Sequence, residues 1–213
     1  MSKRGRELDG APMTAPPARA AMDGCRTLTD AREMRALAHP VRVALLEALT
    51  REGQLTATEA GELLGETPAN CSFHLRTLAK YGFVEEAEGG TGRQRPWCRV
   101  GGLLDFELDN EETDATLAAH ELARRFEDRS RQRQEAWEAT RSSFPATWRK
   151  ASFTMNTLTY LTVEELSALN AEINGIIDRY RDRVTDRAKR PDDAYPISLV
   201  ASGHPLPRSP SGN

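Results

Sequence analysis

Two helix boundaries stand one residue apart in this chain, and no other feature restricts its fold as strongly. Thr56-Ala-Thr-Glu59 is a capping box, in which a threonine hydroxyl takes the backbone N–H three residues on and the glutamate reaches back to the cap. The helix it opens carries Ala60, Leu63 and Leu64 on its apolar side and ends at Gly65. After Glu66 alone, Thr67 caps again, and Pro68 takes a first-turn position where its missing N–H is no loss. Cys71, Leu75 and Leu78 then recur at i, i+4 and i+7 as one stripe, until Gly82 supplies the left-handed residue past the last turn. The spacing therefore predicts two short helices joined by a tight turn, the second spanning 67–81.

The outer surface of that second helix has its own character. Asn70, Ser72, Phe73, Arg76, Thr77 and Lys80 lie off the apolar stripe, giving two positive charges and no carboxylate. Amide, hydroxyl and guanidinium donors of this kind reach phosphates and base edges in a major groove, and a face without acids does not repel the DNA backbone. Phe83–Glu88 reads as a strand, Gly89-Gly-Thr-Gly92 as a tip and Arg93–Val100 as a returning strand, with Pro96 suited to an edge. Arg93 and Arg95 stand beside the tip, where they can meet phosphates or a narrow minor groove. Between Thr67 and Gly101, Arg76, Lys80, Arg93, Arg95 and Arg99 outnumber Glu85, Glu86 and Glu88, a local +2 in a chain of net charge −3. The positive charge is local, as a nucleic-acid footprint requires.

Upstream, Asp30-Ala-Arg-Glu33 reads as a capping-box start, with Met34, Leu37 and Ala38 in a short helix that stops before Pro40. Pro40 opens another helix with Val41, Ala44, Leu45, Ala48 and Leu49 on one face, closing near Gly53. Ala38-His-Pro-Val-Arg-Val-Ala-Leu-Leu-Glu-Ala-Leu49, the 56–65 helix, Ser72-Phe-His-Leu-Arg-Thr-Leu78 and Gly82-Phe-Val84 together resemble the ArsR-like winged helix-turn-helix transcriptional regulators over about residues 28–101. The resemblance implies a mainly α fold with a small β-hairpin wing, a dimer bound to an inverted repeat, the recognition helix in the major groove and the wing on flanking DNA. It implies Ser72, Phe73 and Arg76 as principal contacts, with Asn70 and Lys80 beside them. Thr67, Arg93 and Arg95 complete the candidate DNA-binding set. His74 is expected to bond within the fold or to phosphate rather than to act as a pH switch.

Metal sensing is not expected. The helix 57–64 lacks the C-x-C pattern of the thiolate sensors, and Cys25, Cys71 and Cys98 are far apart, with Cys71 on an apolar stripe and Cys98 in a strand. Near the start of the next helix His120 stands alone among Asp114 and Glu121. The ligand set expected is none, and no cofactor is expected.

The region after Gly102 is expected to dimerise and to receive any signal. Glu111 to about Phe144 reads as a long helix with Ala115, Ala119, Leu122 and Phe126 in a stripe that Trp137 and Phe144 extend. Thr162-Val-Glu-Glu165 is a further capping box, followed by Leu166, Leu169, Ile173, Ile176, Ile177, Tyr180 and Val184 along a heptad-like seam. Leu122, Phe126, Leu169, Ile173, Ile176 and Tyr180 are the candidate dimerisation residues, through one or both helices. Between the helices, hydroxyl residues alternate from Ser152 to Thr159 and predict a strand, with Tyr195–Ala201 as a candidate partner. Trp148, Phe153, Met155 and Tyr160 are candidate walls of a pocket for a small organic effector, since such sites combine aromatic surfaces with a few hydroxyls. Core packing accounts for the same residues without a ligand.

The expected plan is thus a disordered leader over 1–26, a winged helix-turn-helix domain over 27–102, a helical dimerisation and effector region over 103–201, and a disordered tail over 202–213. The leader has no apolar core of a secretory signal, and no apolar run reaches 18 residues, so a cytoplasmic protein without a membrane partner is expected. No P-loop, G-x-G-x-x-G or nucleophile motif points to an enzyme. The expected function is transcriptional regulation on double-stranded DNA, as a dimeric repressor. The alternative is a winged-helix protein-interaction module that does not read DNA.

Overall fold

The computed structural model describes residues 25–89 and 95–207. In chain order the elements are β1 (Arg26–Thr27), α1 (Ala31–Leu37), α2 (Pro40–Glu52), β2 (Gln54–Leu55), α3 (Ala57–Leu64), α4 (Pro68–Lys80), β3 (Val84–Glu86), β4 (Trp97–Arg99), β5 (Leu104–Asp105), α5 (Thr113–Thr140), α6 (Ala146–Ala151), α7 (Val163–Asp178) and α8 (Asp182–Thr185). The chain is mostly helical, with one small antiparallel sheet. The leader through residue 24, the hairpin tip with Arg93, and the tail from 208 lie outside the described residues.

The helix starts form as their residues dictate. Thr56 and Glu59 close a reciprocal capping box on α3, and Thr162 and Glu165 do the same on α7. Thr67 Oγ1 accepts from Asn70 N at the start of α4. Asp30 caps α1, but Glu33 does not complete a box, because the Arg26 guanidinium binds its carboxylate at 2.9 Å. α2 is capped by His39, whose Nδ1 accepts from Val41 N. Along α2 the side chains turned fully inward are Val43, Leu45, Leu46, Ala48 and Leu49, while Val41 is half-buried; on α3, Leu63 faces solvent.

One apolar core joins α1–α4, the sheet and the first turns of α5. Met34, Leu37, Leu45, Leu49, Leu75, Leu78 and Phe83 lie at its centre. Ala115, Ala118, Ala119 and Leu122 pack there too, at helical spacing, their small side chains letting α5 come close to α1. The structural unit therefore runs past 102 to Leu122. Leu122 is wholly enclosed by its own chain and has no surface left for a second copy, which corrects its assignment to a dimer interface. Phe126 is half-buried and stacks on Phe106 of the same chain, centroids 6.1 Å apart.

The sheet has the order β2-β4-β3, antiparallel throughout, with Cys98 facing Gln54 on one side and Glu85 on the other. The hairpin expected from the sequence thus gains a third strand from the two residues after Gly53. A separate parallel pair joins β1 to β5, Arg26 opposite Leu104, and closes the two ends of the domain.

From residue 123 to Pro207 no described residue is buried. The strands expected at Ser152–Thr159 and Tyr195–Ala201 do not form, since neither stretch pairs with the other or with the sheet. An isolated two-stranded ribbon gains too little to stand in water. Phe153, Met155 and Tyr160 are strongly exposed, so they do not wall a pocket. Trp148, on α6, instead packs against Tyr195 at 5.1 Å, and Tyr195 in turn meets Phe144, forming a run of rings that extends to Trp137.

Candidate nucleic-acid interface

The α3–α4 turn is fixed by backbone contact. The Gly61 carbonyl accepts from both Gly65 N and Glu66 N, and a Cβ on Gly61 would stand 2.7 Å from the Glu66 carbonyl oxygen. This close approach sets the position from which α4 starts. Asn70 Nδ2 donates to Glu66 Oε2 at 2.8 Å and ties the first turn of α4 to the same linker.

The inner face of α4 is Cys71, His74, Leu75 and Leu78, all buried. His74 lies 4.4 Å from the His39 ring, with Arg42 Nη1 3.5 Å from its Nδ1. Burial, then the neighbouring His39 and Arg42, hold the His74 pKa below its ordinary value; burial and Arg42 do the same to His39. Burial first, and Glu66 second, push the Cys71 thiol upward, which keeps it protonated and unreactive at neutral pH.

The outer face carries the polar set. Phe73 is 62% exposed, and Arg76 and Lys80 are exposed. Arg76 Nη2 donates to Ser72 Oγ at 2.9 Å, aligning the guanidinium along the helix, and the Lys80 ammonium lies 5.6 Å from the centre of the Tyr81 ring. No acid occurs on α4. Of the expected contact residues, Thr67, Asn70, Ser72, Phe73, Arg76 and Lys80 are thus on one helix, although Thr67 and Asn70 already hold its start.

At the other end of α4, Arg26 donates to the carbonyls of Tyr81 (2.7 Å) and Gly82 (2.8 Å), and its guanidinium covers the Phe83 ring at 4.3 Å. Those carbonyls lie where a helix terminus would otherwise leave acceptors unpaired. The sequence reading missed this role: Arg26 lies more than fifty residues from its targets, and nothing local marks it.

On the hairpin, Arg95 is well exposed and bonded to Glu86 at 2.8 Å, so its charge is partly offset. Arg99 points inward, where it donates to Thr50 Oγ1 at 2.7 Å and to the Gly102 carbonyl; burial lowers its pKa. It belongs to the sheet's anchorage, not to the external charge. Asp114 is held by the Arg35 guanidinium, and its carboxyl sits below the usual range because of that bond. Among the described residues no group of three or more His, Cys, Asp and Glu converges as a metal would require.

Residues 37–87 match the family model of a helix-turn-helix domain. No curated protein matches the chain. The match spans α2, α3 and α4 with the first strand of the hairpin. A helix-turn-helix domain points to DNA binding and a regulatory role. No helix among the described residues is long and apolar enough to cross a membrane.

Proposed function

We propose that the protein is a winged helix-turn-helix transcriptional regulator of the ArsR-like kind, a dimeric repressor that reads an inverted repeat. α4 enters the major groove, and the β3–β4 hairpin lies as a wing on flanking DNA. The observation that carries this reading is the acid-free outer face of α4, with Ser72, Phe73, Arg76 and Lys80 held on a helix clamped at both ends. Arg76 has the reach and fork geometry to engage a guanine edge or a phosphate, Lys80 suits a phosphate, and Phe73 suits a thymine methyl. One recognition helix reads few base pairs, so two half-sites supply affinity and specificity together.

The test is a gel shift on the DNA upstream of the protein's own coding region, run at several salt concentrations. Arg76→Ala should weaken binding by about 1–3 kcal/mol, and Lys80→Ala should lower the salt slope by about one unit. Unchanged binding in both variants would refute DNA reading. The strongly exposed Phe73 ring favours a second reading, a protein-interaction surface. In that case Phe73→Ala would abolish capture of a protein partner while DNA retention stayed negligible in the wild type.

A further inference from the structure

α7 is an amphipathic helix of 16 residues that packs extensively on no other helix or strand among the described residues. A helix of this length is marginal alone in water and takes its stability from covering its apolar face. Here that face is open: Leu169 and Ile176 are exposed and Ile173 is half-buried, and Tyr180, in the turn two residues past the helix's last, is exposed as well. These four fall at spacings of four, three and four, the a/d alternation of a coiled-coil seam. Leu166, one step earlier on the same seam, is approached by Gly203, so the chain's own C-terminal segment reaches that end.

Resting on the reading of the protein as a paired regulator, we infer that α7 packs antiparallel against α7 of a second copy, with Leu169 opposite Tyr180 and Ile173 opposite Ile176 across the two-fold axis. Charge selects the orientation. In this register Glu172, flanking the seam, meets Arg179 of the second copy, and the symmetry makes the contact twice. Parallel pairing would set Glu172 against Ile177, with no attraction. Antiparallel pairing also places the acidic first turn, Glu164 and Glu165, toward the partner's basic end and aligns the two helix dipoles favourably. No ion pair among the described residues holds Glu172 or Arg179. They cannot satisfy each other within one helix, being two turns and about 10.5 Å apart along the axis.

Sedimentation velocity of the full chain tests the pairing. The wild type should sediment at twice the chain mass, and Ile173→Glu combined with Ile176→Glu should reduce it to a single copy. Glu172→Arg and Arg179→Glu should each weaken the dimer about tenfold, since each creates two like-charge contacts, and the double variant E172R/R179E should recover to within about threefold. The charge variants remain informative if the isoleucine variant misfolds. A wild type of one chain mass, a dimer that survives both glutamates, or a double variant no better than its parents overturns the inference. DNA is scored separately on a single half-site duplex. A dimer that ignores DNA sinks the regulator reading and leaves the pairing standing; a monomer that binds DNA with salt dependence does the reverse.

Discussion

Replacing Leu122 by alanine separates two roles that one sequence stripe seemed to combine. Its side chain is fully enclosed between α5 and the core, with 0% exposure. Truncation removes buried methyl and methylene groups and leaves a cavity that backbone on α1 and α5 can collapse around only in part, for a cost of about 2–5 kcal/mol. For a cooperative unit of the size bounded by β1 and Leu122, a loss of about 3 kcal/mol lowers the melting temperature by roughly 10 °C or more. Leu169, by contrast, is 42% exposed in its own chain, and its truncation costs a lone chain no more than about 0.5 kcal/mol. Urea unfolding of both variants over a roughly hundredfold dilution distinguishes them, because a contact made inside one chain does not respond to concentration and one made between chains does. Leu122→Ala should lose the same free energy at every dilution, whereas the loss in Leu169→Ala should depend on concentration. A Leu122→Ala variant within about 1 kcal/mol of wild type, or one whose deficit changes with dilution, would show that α5 is not seated on α1 as described.

Gly61→Ala should destabilise the domain by about 1–3 kcal/mol and weaken DNA retention, although alanine is the better helix former, because its Cβ meets the Glu66 carbonyl and pushes the start of α4 away. Thermal melts and gel shifts on that variant check it, and an unchanged or raised melting temperature would contradict the close approach. The imidazoles of His39 and His74 have depressed pKa values in the fold, so the unfolded chain binds more protons below its own value of about 6.5, and stability should fall as pH drops below that value. Urea midpoints between about pH 5 and 7.5 should show this slope, and His74→Gln should flatten it; an identical slope in the variant would place the proton uptake elsewhere.

The local parts of this fold were readable in the residues, and the tertiary parts were not. Threonine caps, Gly65, Gly82 and the stripe of Cys71, Leu75 and Leu78 act within a turn or two, so their chemistry stands beside them in the chain. β2 escaped because two residues after a glycine carry no periodicity; pairing with Trp97 and Cys98 makes them a strand. Arg99 reads as surface charge until the Thr50 hydroxyl, far along the chain, meets it, and Arg26, at the end of what reads as a leader, has its carbonyl partners more than fifty residues away. The aromatic stretch from 144 to 161 misled for the opposite reason: alternation describes an extended backbone but supplies neither a partner strand nor a cover.

α5 makes the two halves of the chain mechanically continuous. After Leu122 it leaves the core, yet Glu47 on α2 accepts from Arg129 at 2.7 Å and Arg133 at 3.1 Å, and all three side chains are largely screened from water. Arg133 also donates to Ser198. At the far end of α2, Arg187 and Arg190 donate to the carbonyls of Thr50, Arg51 and Glu52, where the helix dipole favours cations. Thus α2, which supports α4 through the core, is held at mid-length by the long helix and at its C-terminus by the segment just beyond α7. A paired α7 would therefore fix the separation of two α4 helices through short polar links, not through a flexible tether. Half-site spacing then becomes a property of Glu47 and its two arginines as much as of the dimer seam.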